Sequence, residues 1–148
     1  MKTTKILSLV LTALILVSTV FSVTAFATAD DGTYKNFKYT VTDENSAVII
    51  KYTGNESSVK IPESVNGYPV TEIGDSVFKG NFSLKKTEIP DGVKTIGDYA
   101  FNDCTGLESI TIPESVEKIG KSAFFYCTRL ENVNVSDGIK TIGDGAFF

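Results

Sequence analysis

The chain has 148 residues, 42% hydrophobic and 22% charged, which suits one small globular domain and is too apolar for a disordered chain. Its net charge is −4 with no block of basic residues, which argues against nucleic acid or an anionic membrane face as partner. Histidine is absent, so imidazole bases, Ser-His or Cys-His nucleophile pairs and the ordinary catalytic zinc site are all excluded.

The first segment reads as an address. Lys2 and Lys5 precede an apolar run from Ile6 to Phe21, broken only by Ser8, Thr12, Ser18 and Thr19. Small residues then lead to Ala25-Phe26-Ala27, an A-x-A cleavage pattern, with a second at Ala27-Thr28-Ala29. A charged start, an apolar middle and a small-residue exit predict a signal peptide over 1–27, cleaved near Ala27. The competing reading is a retained membrane anchor, since the run is long enough to span with strain. No cysteine follows it, so lipid attachment has no support. The expectation is a protein secreted or held at the cell surface, with no membrane insertion of the mature chain.

Residues 28–57 are assigned to an N-terminal β-hairpin cap. Two runs, 37–42 and 47–52, read as strands joined by Asp43-Glu44-Asn45-Ser46, and Val59 to Ile61 follows a further polar turn. The hairpin-like path, 34–60, is expected to cover the first face of what comes next.

From residue 58 the chain repeats itself. Gly74, Gly97, Gly120 and Gly143 fall 23 residues apart, as do Phe78, Phe101, Phe124 and Phe147, and each glycine follows an isoleucine. A fixed step of this size marks a solenoid. Leu107, Ile110 and Ile112 alternate with Ser109 and Thr111 to give a short half-buried strand, which Pro113 ends. Val116 and Ile119 point inward along a second extended piece, and Gly120 turns the chain. Asp75, Asp98 and Asp144 follow their glycines and are expected to cap a single helical turn carrying the Ala-Phe pair. Phe101 and Cys104 then face the interior together. One coil buries too little to offset the ordering of its backbone, so stacking of coils is a condition of folding.

The two ends of the repeat differ from its middle. The first copy carries an extra Asn66-Gly67-Tyr68-Pro69-Val70, with a turn signal at Asn66-Gly67. The fourth begins at Val135 and stops at Phe148, which is read as a repeat cut short, with Val133, Val135, Ile142 and Phe147 left without a covering coil.

The units Ile89-Pro90…Ile96-Gly97…Ala100-Phe101…Cys104…Leu107…Ile110 and Ile112-Pro113…Ile119-Gly120…Ala123-Phe124…Cys127…Leu130 resemble the BspA-type leucine-rich repeat family. The opening Ile61-Pro62…Asn66-Gly67-Tyr68-Pro69-Val70…Ile73-Gly74…Phe78 is similar to that family's first unit. The resemblance covers 58–148. It implies an α/β leucine-rich-repeat solenoid, right-handed and β-dominated with short helical turns, on secreted or surface-attached proteins associated with adhesion. Val77, Asn81 and Thr87 depart from the pattern in the first copy. The family has no shared catalytic residues to carry over.

Candidate chemistry is sparse. Cys104 and Cys127 occupy the same slot of adjacent coils, close enough for a disulfide, yet the slot is inward and buried thiols are the favoured reading. The acidic residues Glu63, Asp91, Glu114 and Asp137 recur with the repeat, so the coil explains them better than a catalytic pair does. Asn55, Asn81 and Asn134 begin glycosylation sequons, which matter only in a eukaryotic host. Gly143-Asp144-Gly145 reads as turn. No cofactor and no metal are expected.

What remains is a surface. Lys86, Ser109 and Asn132 should stack into one outward column, and Glu88, Thr111 and Asn134 into another. Such a sheet face is where solenoids bind, although it equally suits a solvated surface. The expectation is a non-enzymatic, exported module binding a protein or glycan ligand on a host or neighbouring cell. The alternative is an accessory stalk or targeting domain of a larger secreted enzyme.

Overall fold

The computed structural model describes residues 32–148; the expected signal peptide lies outside them. Three short antiparallel strands open the fold: β1 (Gly32–Tyr34), β2 (Phe37–Val41) and β3 (Ala47–Tyr52). The hairpin of β2 and β3 matches the sequence expectation, and β1 adds an edge to it. Coil one contributes β4 (Ser58–Lys60), β5 (Ser64–Val65), β6 (Tyr68–Ile73) and β7 (Lys86–Glu88). The later coils supply β8 (Thr95–Ile96), β9 (Ser109–Ile112), β10 (Lys118–Ile119), β11 (Asn132–Val135) and β12 (Thr141–Ile142).

These strands form two sides of the coil stack. One is a purely parallel sheet in the order β4-β7-β9-β11. The other runs β1-β2-β3-β6-β8-β10-β12, parallel from β3 onward, so the cap and the coils share one continuous sheet. The insertion in coil one makes a small antiparallel hairpin of β5 and β6. Asn66 and Gly67 turn it at φ 47° and 92°, the left-handed pair that a tight two-residue hairpin requires.

The third side corrects an expectation. There is no helix among the described residues, so the α/β assignment and the short helical turns do not hold. Main-chain bonds between coils explain why. Ser76, Phe78 and Gly80 donate their N–H groups to Asp98 O, Ala100 O and Asn102 O at 2.9, 2.8 and 2.8 Å. Tyr99, Phe101 and Asp103 repeat this toward Lys121, Ala123 and Phe125, and Ser122, Phe124 and Tyr126 toward Asp144, Ala146 and Phe148. A helical turn would direct those groups along its own axis and leave the next coil's carbonyls unmatched. Ser76, Tyr99 and Ser122 instead take φ of 58°, 58° and 50°, which no right-handed helix accommodates. The aspartates are accordingly not helix caps. Asp75 Oδ1 accepts from Asp98 N–H at 2.7 Å and Asp98 Oδ1 from Lys121 N–H at 2.8 Å, linking coil to coil. Lys121 ends that ladder because lysine offers no acceptor.

The core lies between the three sides. Phe78, Phe101, Phe124 and Phe147 stack nearly parallel with centroids 4.9, 5.1 and 5.0 Å apart. Phe37 and Tyr52 of the cap close the first ring of that stack. Leu84, Leu107, Ile61, Ile112, Ile73, Ile96 and Ile119 are fully buried around it. On the fourth coil Val135, Ile142 and Phe147 are 42%, 57% and 42% exposed.

Gly74, Gly97, Gly120 and Gly143 stand in file, and their lack of a side chain sets how closely the coils approach. A Cβ on Gly97, Gly120 or Gly143 would meet the carbonyl carbon of the preceding glycine at 2.7, 2.5 or 2.7 Å.

Candidate binding face

The parallel sheet places its outward side chains by strict register. Ser58, Lys86, Ser109 and Asn132 are paired across successive strands, and two residues on so are Lys60, Glu88, Thr111 and Asn134. Because side chains alternate along a strand, each set stands on one side of the sheet as a column. All six residues singled out from the sequence therefore come together. Ser58 and Lys60 were missed, since the five-residue insertion of coil one shifts them off the 23-residue step. The echo of Val59-x-Ile61 in Ile110-x-Ile112 was the signal that could have found them.

The face is polar and open. Lys86 Nζ lies 3.8 Å from Glu88 Oε1, with both side chains more than half exposed, so this pair contributes little to stability. Two shallow concavities meet at Ser109. One of about 320 Å³ is lined by Lys86, Glu88, Ser109 and Thr111, and one of about 470 Å³ by Glu108, Arg129, Glu131 and Asn132. Beneath the face, Val59 and Ile110 pack into the core, and Thr87 occupies the slot between them. The Thr87 hydroxyl is buried without a hydrogen-bond partner, a defect confined to the first full repeat.

The two cysteines are tied to the coil before them. Cys104 and Cys127 are free thiols, and each donates to a carbonyl of the preceding coil: Phe78 O at 3.1 Å and Phe101 O at 3.2 Å. That bond accounts for a cysteine at this slot better than packing alone does. Burial pushes their pKa values up to about 12 and about 11, so neither forms a useful thiolate. Glu56 accepts hydrogen bonds from Tyr52 Oη and Asn36 Nδ2, tying the cap to the loop before β4. The Tyr52 bond holds Glu56 below the ordinary carboxylate range, while burial and that carboxylate push Tyr52 up to about 12. Burial, and then Asp75, raise Glu72. Among the described residues no cluster of His, Cys, Asp or Glu could hold a metal ion.

Known proteins share this architecture. No curated protein matches the sequence. The leucine-rich repeat protein of T. pallidum is 30% identical with a TM-score of 0.73, over 77% of this chain and 54% of its own. A leucine-rich cell surface protein of Faecalibacterium prausnitzii is 37% identical with a TM-score of 0.73, over 83% of this chain and 35% of its own. This chain thus spans about half and about a third of those two proteins. A leucine-rich repeat protein of Bacteroides capillosus, 23% identical with a TM-score of 0.71 over 76% of this chain and 86% of its own, shares the fold. The pattern of the BspA type leucine rich repeat region matches residues 50–148 in six copies, and the chain belongs to that family.

Proposed function

We propose that this is an exported, non-enzymatic surface module that binds a protein on a host or neighbouring cell through the outward face of β4, β7, β9 and β11. The observation that carries the reading is the pair of in-register polar columns, Ser58 to Asn132 and Lys60 to Asn134, on a rigid parallel ladder. Extended solenoid surfaces of this kind are the usual binding surface of repeat proteins. The charged and apolar leader of the sequence supports export, and the name of the Faecalibacterium relative supports a place at the cell surface. The acidic residues support a non-catalytic role, because they recur at equivalent positions of successive coils.

The test is a triple variant, Lys86→Glu with Asn132→Glu and Asn134→Glu. These side chains are exposed, so the melting temperature should move by no more than about 2 °C while cell or matrix adhesion falls. Undiminished adhesion would exclude this face. A second reading is an accessory stalk or targeting domain of a longer secreted enzyme. The full coding sequence separates the two: a downstream hydrolase or protease domain favours the second.

A further inference from the structure

Asn66 and Gly67 are the only Asn-Gly pair in the chain. They turn the β5–β6 hairpin, and Asn66 Nδ2 donates to Tyr39 Oη at 2.7 Å, which ties that hairpin to β2 of the cap. The Tyr39 ring is buried, whereas Asn66 and Gly67 are both exposed. The Gly67 N–H has no main-chain partner among the described residues, and a Cβ at Gly67 would meet nothing within 4 Å. The main-chain nitrogen next to the Asn66 side chain is therefore open to water and shielded by no side chain of its own residue.

Asn45 provides the contrast. It too is left-handed, with φ of 55°. Its follower Ser46 is buried and donates its N–H to Thr42 Oγ1 at 3.3 Å, and the Thr71 hydroxyl donates to Ser46 Oγ at 3.0 Å. Every other asparagine is likewise followed by a residue with a side chain.

We propose that Asn66 is a site of spontaneous covalent modification, paced by its bond to the Tyr39 hydroxyl. In the reaction Gly67 N attacks Asn66 Cγ. The N–Cγ bond forms, the Cγ–Nδ2 bond breaks, and Nδ2 leaves as ammonia with the Gly67 proton. Water then opens the cyclic imide at either carbonyl, giving aspartate or iso-aspartate; nothing is oxidised or reduced. Ring closure swings the Asn66 side chain onto Gly67 N and so breaks its bond to Tyr39, which holds the reactive rotamer back. Both products lack the Nδ2 donor, so the tie to the cap is lost. Iso-aspartate also adds a main-chain carbon to a two-residue loop between the pairs Ser64–Pro69 and Val65–Tyr68, whose register depends on loop length. The outcome is a timed loosening of the joint between the cap and the first coil, independent of the sheet face.

The experiment holds the full chain at mildly alkaline pH beside a synthetic peptide of residues 64–70, and follows each asparagine by peptide mass spectrometry with an iso-aspartate assay. The peptide, which lacks Tyr39, should convert fastest. In the folded chain Asn66 should convert ahead of Asn45 and of every other asparagine. Tyr39→Phe keeps the buried ring and removes the acceptor, so it should speed conversion about fivefold, the factor that one hydrogen bond carries. Asn66 left intact once the peptide has converted, another asparagine converting first, or equal rates in the parent and Tyr39→Phe overturns the assignment. Should Tyr39→Phe fail to fold, the first two outcomes decide it.

Discussion

Gly120→Ala is the sharpest probe of how the coils are spaced. The added methyl would sit 2.5 Å from Gly97 C and 2.6 Å from Asp98 N, both main-chain atoms that cannot rotate aside. Relief requires the third and second coils to part locally, and the bonds in their path are Gly120 N–H to Ile96 O at 2.8 Å and Lys121 N–H to Asp98 Oδ1 at 2.8 Å. Overpacking of this sort costs about 1–3 kcal/mol and each strained hydrogen bond about 1 kcal/mol, so a loss of about 3 kcal/mol is expected. For a domain of this size that lowers the melting temperature by about 10 °C, measured by circular dichroism and checked by urea midpoint at constant slope. Gly80→Ala is the control. Its Cβ would meet nothing within 4 Å, so only its φ of 71° opposes the change, at a cost of about 1 kcal/mol. A Gly120→Ala loss no larger than that of Gly80→Ala would refute a pitch set by the glycine file.

Thr87→Val should raise stability by about 1 kcal/mol, because it removes a buried hydroxyl without a partner and keeps the side chain's shape; an unchanged or lower urea midpoint would count against this. Cys104 should resist iodoacetamide at pH 8 in the native protein and react after denaturation, as mass spectrometry would record, since burial lifts its thiol from 9.0 to about 12. The Tyr52–Glu56 contact makes stability depend on pH at both extremes. Glu56 is depressed in the fold, so its contribution is present above its ordinary 4.5 and is lost as pH falls through the lower folded value. Tyr52 is raised, so its contribution is present below 10 and is lost as pH rises toward about 12; Tyr52→Phe should remove a component near pH 12 from the tyrosine ultraviolet titration.

The repeat was legible because every inward position after the coil-one insertion returns on the same step, and the parallel register then follows from the step itself: Ile96, Ile119 and Ile142 lie opposite one another without any slip. The outward columns were legible for the same reason, and Ser58 and Lys60 escaped only where the insertion broke the step. The turn side was misread. An aspartate followed by an Ala-Phe pair is a fair helix-start pattern, and nothing in Ser76, Tyr99 or Ser122 announces a left-handed backbone. Those conformations are imposed by hydrogen bonds to the next coil, a partner that local sequence does not encode. β1 was missed because three residues, Gly32-Thr33-Tyr34, are too few to carry a periodic signal.

The phenylalanine stack advances about 5 Å per coil, which makes the polar face a comb with that tooth spacing. An extended peptide laid along the solenoid axis repeats its same-side residues about every 6.7 Å, so it drifts out of phase after a single coil. Over four coils such a ligand could seat one or two side chains and no more. A partner that engages the whole comb must therefore bring residues from several loops or strands of its own, already fixed at matching intervals, and a short linear peptide cut from it will compete poorly.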